Sequence, residues 1–358
     1  MSAVDRLPAP ICPGLPCTAL APMQDVTDLF FMQTIARYGC PDYFFTEYFR
    51  VHSTSTLDQK ILRSITENTT GRPIFAQLIG ESIPDLVRSA RLLAQYPIAG
   101  IDLNLGCPAP RVYRKNVGGG LLREPEHVKR ILSELRSATS GRLSVKMRLG
   151  FDSTESFDLF LELINQCEID LLSLHGRTVK QGYQGAVRYD LIAHAVEQAK
   201  CPVFANGNIT SAAVAAAVLS QTQAAGVMIG RAAICNPWIF QQVRQHLSGE
   251  PVAVVSLWQV REYIEQLRRV TTALTVPEAS RVGYLKGYLN YIAPRVDGAG
   301  VFLRNMRLAR SEADLLSVCD HHLLGQAESA FVTEPSEVCS PKGSDMALRC
   351  NSVTGVFD

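Results

Sequence analysis

Apolar and polar positions along the chain follow two alternating periods. Eight short runs rich in apolar or β-branched residues recur at fairly even spacing: Thr18–Met23, Tyr43–Tyr48, Ile74–Gly80, Gly100–Cys107, Leu143–Gly150, Leu171–Arg177, Pro202–Asn208 and Gly226–Arg231. The segments between them, such as Ser82–Gln95, Glu126–Thr139, Ser156–Gln166 and Ser211–Ser220, place apolar residues three and four apart, the helical period. Eight strand–helix units in succession predict an α/β fold closed into a (β/α)8 TIM barrel rather than an open sheet. From Val252 to about Leu316 the pattern turns wholly helical (SLWQVREYIEQLRRVTTAL, RVGYLKGYLNYIAPRV, AGVFLRNMRLARS), which predicts a small all-helical C-terminal domain. The expected organisation is an N-terminal extension over 1–17, a barrel over 18–250 and a helical domain over 252–318. Residues 325–358, polar and aperiodic with Pro335 and Pro341, read as a disordered acidic tail.

Polar side chains concentrate where the eight runs end. Met23, Glu47, Gln77, Asn104, Cys107, Lys146, Arg148, His175, Arg177, Asn206, Asn208 and Arg231 all fall at or near the C-terminal ends of predicted strands, the catalytic face of such a barrel. A cap explains one polar residue at one strand end; it does not explain a set spread over eight.

The fourth run is the most informative. Ile101–Gly120 reads IDLNLGCPAPRVYRKNVGGG: a buried strand with Asp102 and Asn104 at alternate positions, then a thiol, Cys107, where strand becomes loop. Arg111, Arg114 and Lys115 follow, and the loop closes on Gly118-Gly119-Gly120, which predicts a mobile cationic segment. A thiol under such a loop suits proton donation to an anionic substrate. The alternative is a buried structural cysteine beside a solvated basic turn.

Phosphate binding is signalled by the last two runs. VFANGNI has Gly207 at its strand-to-helix turn, and GVMIGRAA sets Gly230 and Arg231 before a short helix. Loops after the seventh and eighth strands commonly hold phosphate through backbone N–H groups. Lys146 and His175 point from neighbouring strands toward one space, where a cation stabilises negative charge on a bound ring such as the N1–C2 region of a reduced flavin. An ion pair for Lys146 and a satisfied core group for His175 are the plainer readings. Gln77 offers both a donor and an acceptor to a heterocyclic edge.

Composition narrows the class. The chain is 47% hydrophobic and 19% charged, with no apolar run near the roughly 20 residues that span a bilayer. No signal peptide is visible, and ten cysteines lack any C-x-x-C pair, which argues against a zinc ribbon or disulfide framework and for a reducing cytoplasm. A net charge of +1 hides an asymmetry: residues 241–310 hold ten Lys/Arg against five Asp/Glu (+5), residues 311–358 two against eight (−6). The basic segment suits a polyanionic partner, with a solvated helix face as the alternative.

Read in order, ALAPMQDVTD, TEYFR, AQLIG, DLNLGCP, VKMRLG, LHGRT, NGNI and MIGRA resemble the strand-end motifs of the tRNA-dihydrouridine synthases. The resemblance covers roughly 18–315. It implies an FMN-holding barrel, NADPH (or NADH) as reductant, and a helical domain that grips tRNA. FMN contacts are implied for Ala21, Pro22, Met23, Gln77, Lys146 and His175, with Asn206, Gly207, Asn208, Gly230 and Arg231 at its phosphate. Cys107 corresponds to the proton donor and Asn104 to a residue facing the uracil. Arg148 and Arg177 are assigned to the tRNA side. Arg50, Arg281, Tyr288 and Arg307 resemble tRNA-contacting positions of the C-type subfamily, which modifies position 16 of the D-loop. The Cys107–Gly118 interval is nearer the B-type, and Gly283 stands where C-type proteins often carry a base.

The resulting expectation is reduction of the C5=C6 bond of a tRNA uridine by a monomeric, metal-free cytoplasmic enzyme. Hydride passes from flavin N5 to C6, and Cys107 protonates C5. The rivals are an FMN barrel acting on free pyrimidines, a non-catalytic RNA-binding barrel, and a flavin-free aldolase using Lys146 as a Schiff base.

Overall fold

The computed structural model describes residues 7–272, 276–325 and 330–331, with side chains left out at 270–272. Its strands are β1 Cys17–Leu20, β2 Tyr43–Phe45, β3 Phe49–Arg50, β4 Ile74–Ile79, β5 Gly100–Leu105, β6 Arg142–Arg148, β7 Leu171–His175, β8 Val203–Asn206 and β9 Gly226–Ile229. The helices around them are α1 Leu29–Tyr38, α2 Gln59–Thr66, α3 Ile83–Leu93, α4 Pro110–Tyr113, α5 Pro125–Ala138, α6 Phe157–Gln166, α7 Tyr189–Gln198, α8 Ala212–Thr222, α9 Arg231–Cys235 and α10 Ile239–Leu247. Four more follow: α11 Leu257–Thr272, α12 Glu278–Ile292, α13 Val301–Leu308 and α14 Glu312–Leu324.

All strand pairings in the sheet are parallel, and β2 pairs with both β1 and β4, so the sheet closes into an eight-stranded TIM barrel. The two-residue β3 adds to the end of β4 at the barrel mouth. Each predicted run contains one barrel strand, but the strands stop one to three residues short of the predicted C-terminal ends. The polar residues beyond those ends leave the ladder to make turns. Register matters for the site: Gln77 lies opposite Asp102, Asp102 opposite Ser144, Asn104 opposite Lys146, and Arg148, His175 and Asn206 stand side by side.

At the N-terminal end of the barrel the extension serves as a plug. Leu7 is buried with Tyr43, Phe45 and Phe75, the Tyr43 hydroxyl donates to the Pro8 carbonyl, and Ile11 N–H donates to the Asp42 carboxylate. Closing this end leaves the opposite mouth as the open one.

The last four helices pack on α1 and α9. Tyr288 stacks on Phe31 with centroids 5.7 Å apart, Tyr263 meets Tyr38 edge-on at 5.4 Å, and the Tyr263 hydroxyl donates to the Ile234 carbonyl at 3.0 Å. The helical segment runs to Leu324, past the expected boundary at 318, because a capping box between Ser311 and Asp314 starts a full-length α14. Tail residues Ala330 and Phe331 are not loose, as expected, but anchored: Phe331 is buried and its N–H donates to the Val255 carbonyl at 2.7 Å. The rest of the expected tail, 326–329 and 332–358, lies outside the described residues. Among the described residues no helix is long and apolar enough to cross a membrane.

If the Tyr288–Phe31 stack joins the helical bundle to the barrel, Tyr288→Ala should lower unfolding stability by about 2 kcal/mol or more. Tyr288→Phe should keep it, both read by urea denaturation.

Candidate active site

Strand β5 delivers the thiol. The chain turns out of the sheet at Gly106, and the Asn104 side chain makes the turn by accepting from the N–H groups of Gly106 (3.0 Å) and Cys107 (2.9 Å). The Cys107 carbonyl then accepts from Gly119 N–H at 3.3 Å. Gly118 has φ +56°, and a Cβ there would sit 3.1 Å from the Cys107 Cβ; at Gly119 it would lie 2.8 Å from the Cys107 carbonyl and 2.6 Å from Val179. The three glycines therefore permit a close approach. They are buried in a 3-10 turn over Gly118–Arg123, and α4 precedes it, so the segment expected to be mobile is packed under the thiol.

Cys107 packs with Tyr48, Ile79 and Val112. Burial pushes its pKa above the ordinary thiol value, and it outweighs the opposing pull of Arg148, Arg50 and Lys146. Arg111, Arg114 and Lys115 are exposed, and the main cationic pulls on the thiol come instead from Arg148, Arg50 and Lys146. The thiol is therefore protonated at neutral pH, as an acid must be.

Beside it lies a group of cations. Lys146 Nζ reaches Asn206 Oδ1 at 3.3 Å, and burial with Arg148 lowers its pKa to about 8. His175 is buried and held neutral by burial together with the charges of Arg148, Lys146, Arg177 and Arg231, and its Nδ1 has no partner. Arg231 is exposed, its guanidinium 4.4 Å from the ring centroid of Tyr183. Among the described residues none of Lys146, Arg148, Arg177 and Arg231 has an ion-paired carboxylate. Gly207 at φ +126° and Gly230, where a Cβ would lie 3.4 Å from Ala21 Cβ and Met23 Sδ, keep the adjoining turns free of side chains.

A family model described as dihydrouridine synthase (Dus) matches residues 19–314. The chain belongs to the dihydrouridine synthase family. A Helicobacter pylori protein described as a probable tRNA-dihydrouridine synthase is 36% identical over 252 residues, 69% of this chain and 76% of its own. The tRNA-dihydrouridine synthase B of Pasteurella multocida is 31% identical over 236 residues, 66% of this chain and 71% of that one. Among solved structures, 2-naphthoyl-CoA reductase aligns with TM-score 0.51 at 12% identity, over 69% of this chain and 53% of that one, a likeness of fold alone.

Within this dihydrouridine synthase barrel, the expected cofactor residues meet at one mouth. Met23 and Ala21 border Gly230, Lys146 touches Asn206, and Gly207 lies beside His175. Gln77 Nε2 donates to Asp102 and its Oε1 accepts from Asn104 in a wholly buried position, with one hydrogen and one lone pair not used within that network. Cations outnumbering the one nearby buried carboxylate, Asp102, with an imidazole nitrogen lacking a partner among the described residues and side-chain-free glycine turns, are what an anionic flavin nucleotide needs, so the residues present fit FMN. No group of three or more His, Cys, Asp or Glu is arranged to hold a metal among the described residues.

The residues assigned to tRNA divide. Arg50 is exposed at the mouth over the Tyr48 ring, and Arg307 is exposed on α13 with Nε on Asn290. Arg148 is buried, bonding the carbonyls of Gly106, Thr178 and Gly182, and Arg177 is buried on Gly185 and Asn208. Both guanidinium groups hold loops of the mouth in place. Arg281 is turned to Val276 and Glu312, and Tyr288 to Phe31. Three further residues went unassigned in the sequence: Tyr183, Asp102 and Glu47. The last is a buried carboxyl with Oε1 unpartnered, whose pKa burial raises to about 8. Its place at a strand end was the only signal.

Because the Cys107 pKa is raised, alkylation of its peptide by iodoacetamide, followed by mass spectrometry, should be slow at pH 7 and still rising above pH 9. A plateau below pH 9 would contradict the protonated thiol.

Proposed function

We propose that this chain reduces the C5=C6 bond of a uridine in the D-loop of tRNA to 5,6-dihydrouridine, using FMN reduced by NADPH. The observation that carries the reading is a protonated thiol set at the same barrel mouth as Lys146, Arg148, Arg177 and Arg231, none of them ion-paired to a carboxylate among the described residues, and as the side-chain-free turns at Gly207 and Gly230. Similarity to the C-type pattern, through the exposed Arg50 and Arg307, favours position 16 as the target.

A bound flavin supplies the hydride. The chain supplies everything else. Asn206, Gly207, Asn208, Gly230 and Arg231 hold the phosphate; Ala21, Pro22 and Met23 border the ring; Gln77 orients a pyrimidine edge; and Lys146 places positive charge where a reduced ring gathers negative charge. Asn104 has both oxygen bonds taken by main-chain N–H groups, so what it has left to offer is one N–H donor, which suits an acceptor such as a uracil carbonyl. Cys107 Sγ gives its proton to C5, and Arg148, Arg50 and Lys146 stabilise the thiolate left behind.

The uridine must leave its stack, at a cost of a few kcal/mol that is smaller in an unpaired loop. Phosphate contacts offset that cost. The basic 241–310 region favours RNA over free pyrimidines, and parallel assays on uracil and unmodified tRNA separate the two. We place the protein in a reducing cytoplasm as a monomer.

Cys107→Ala should keep flavin binding and NADPH oxidation but lose dihydrouridine formation by about 10²-fold or more, read by nucleoside mass spectrometry. Modification at the wild-type rate would remove the acid assignment.

FMN affinity should be flat below about pH 8 and weaken above it, because Lys146 then loses its proton in the free protein. Lys146→Met should bind FMN more weakly and show no inflection near that pH, measured by fluorescence quenching.

A further inference from the structure

Under the thiol lies a continuous buried chain of hydrogen bonds. Ser144 Oγ donates to Asp102 Oδ1 at 2.6 Å, and Gln77 Nε2 donates to Asp102 Oδ2 at 2.6 Å. Asn104 Nδ2 donates to Gln77 Oε1 at 2.8 Å, and Asn104 Oδ1 accepts from the N–H groups of Gly106 and Cys107. Ser144, Asp102 and Gln77 are wholly buried and Asn104 is 7% exposed, so in the intact protein these groups depend on one another rather than on bulk water.

The two amides are the ambiguous links. Each Gln or Asn side chain has two orientations of nearly the same shape, and only its partners choose between them. Asp102 is the member with a single sense. Burial raises its pKa only to about 6, so at neutral pH it is an acceptor at both oxygens. Gln77 must then point its NH2 at Asp102 and its oxygen at Asn104. Asn104 must in turn point its NH2 at Gln77 and its oxygen at the Cys107 turn. A flipped Gln77 would set oxygen against carboxylate, and NH2 against NH2.

We propose that Asp102 is a positioning residue that, through Gln77 and Asn104, orients the turn carrying Cys107. This rests on the reading of Cys107 as the proton donor.

The test uses the full flavin-loaded protein, reduced with dithionite and mixed with unmodified tRNA for a single turnover. Asp102→Ala should slow uridine reduction by about 10²-fold, the cost of a misplaced reacting group, while NADPH reduces the flavin at close to the normal rate. Asp102→Asn should restore turnover, since its oxygen can face Gln77 and its NH2 can face Ser144, whose hydroxyl then turns to the Ile101 carbonyl 3.3 Å away. In a Cys107→Ala background, Asp102→Ala should cause no further loss.

Equal slowing of flavin reduction, or a full additional loss without the thiol, would overturn the proposal. Should Asp102→Ala not fold, Asp102→Thr, of similar size, leaves a hydroxyl that can donate or accept and so no longer fixes the sense of Gln77; it should slow uridine reduction where Asp102→Asn does not, and normal turnover overturns the proposal. Alkylation of Cys107 in flavin-free protein should change in Asp102→Ala and not in Asp102→Asn. That readout holds even if Cys107→Ala proves fully active, an outcome that would reject the acid role alone; an unchanged alkylation rate rejects the positioning.

Discussion

Desolvation at the open mouth of the barrel is the constraint on which the site depends. Removing water disfavours whichever form of a group is charged, and it acts here on neighbours of opposite kind. The same burial holds the Cys107 thiol protonated, keeps His175 neutral and brings Lys146 to within about one unit of neutral pH. For the thiol this is the state an acid requires; for Lys146 it works the other way, weakening the charge that an anionic cofactor would use, so the lysine is still protonated at neutral pH but by a narrow margin.

The cost of gathering so many cations falls on the loops. Among the described residues buried Arg148 and Arg177 have no carboxylate partner, and they bond main-chain carbonyls of the segments that frame the mouth. Their hydrogen bonds fasten Gly106, Thr178, Gly182 and Gly185 in place. Such guanidinium groups combine two duties, electrostatic and mechanical. The barrel beneath keeps them rigid, closed at its far end by Leu7 and the Tyr43–Pro8 contact.

Much of the architecture was legible in the chain. Short apolar runs and helical segments alternate eight times, and every run holds a barrel strand, because burial of both faces of a parallel sheet leaves a strong apolar signature. The strand-end rule also placed Cys107, Lys146, His175, Asn206 and Arg231 at one mouth. It failed in kind rather than in place for Arg148 and Arg177, whose side chains turn to carbonyls. Nothing in local sequence states which acceptor a long side chain will meet. The Gly118–Gly120 run misled for a related reason: glycine reads as freedom, yet here it allows backbone to approach Cys107 within the reach of a methyl group.

By itself the sequence determined the order of strands and helices, the face on which chemistry gathers and the family to which the chain belongs. These are properties of periodicity and motif, carried by neighbours along the chain. Only the tertiary structure decided the protonation of Cys107, the neutrality of His175 and the direction of the Asp102–Gln77–Asn104 chain. Those depend on dehydration and on partners dozens of residues apart in sequence, brought level by the register of adjacent strands.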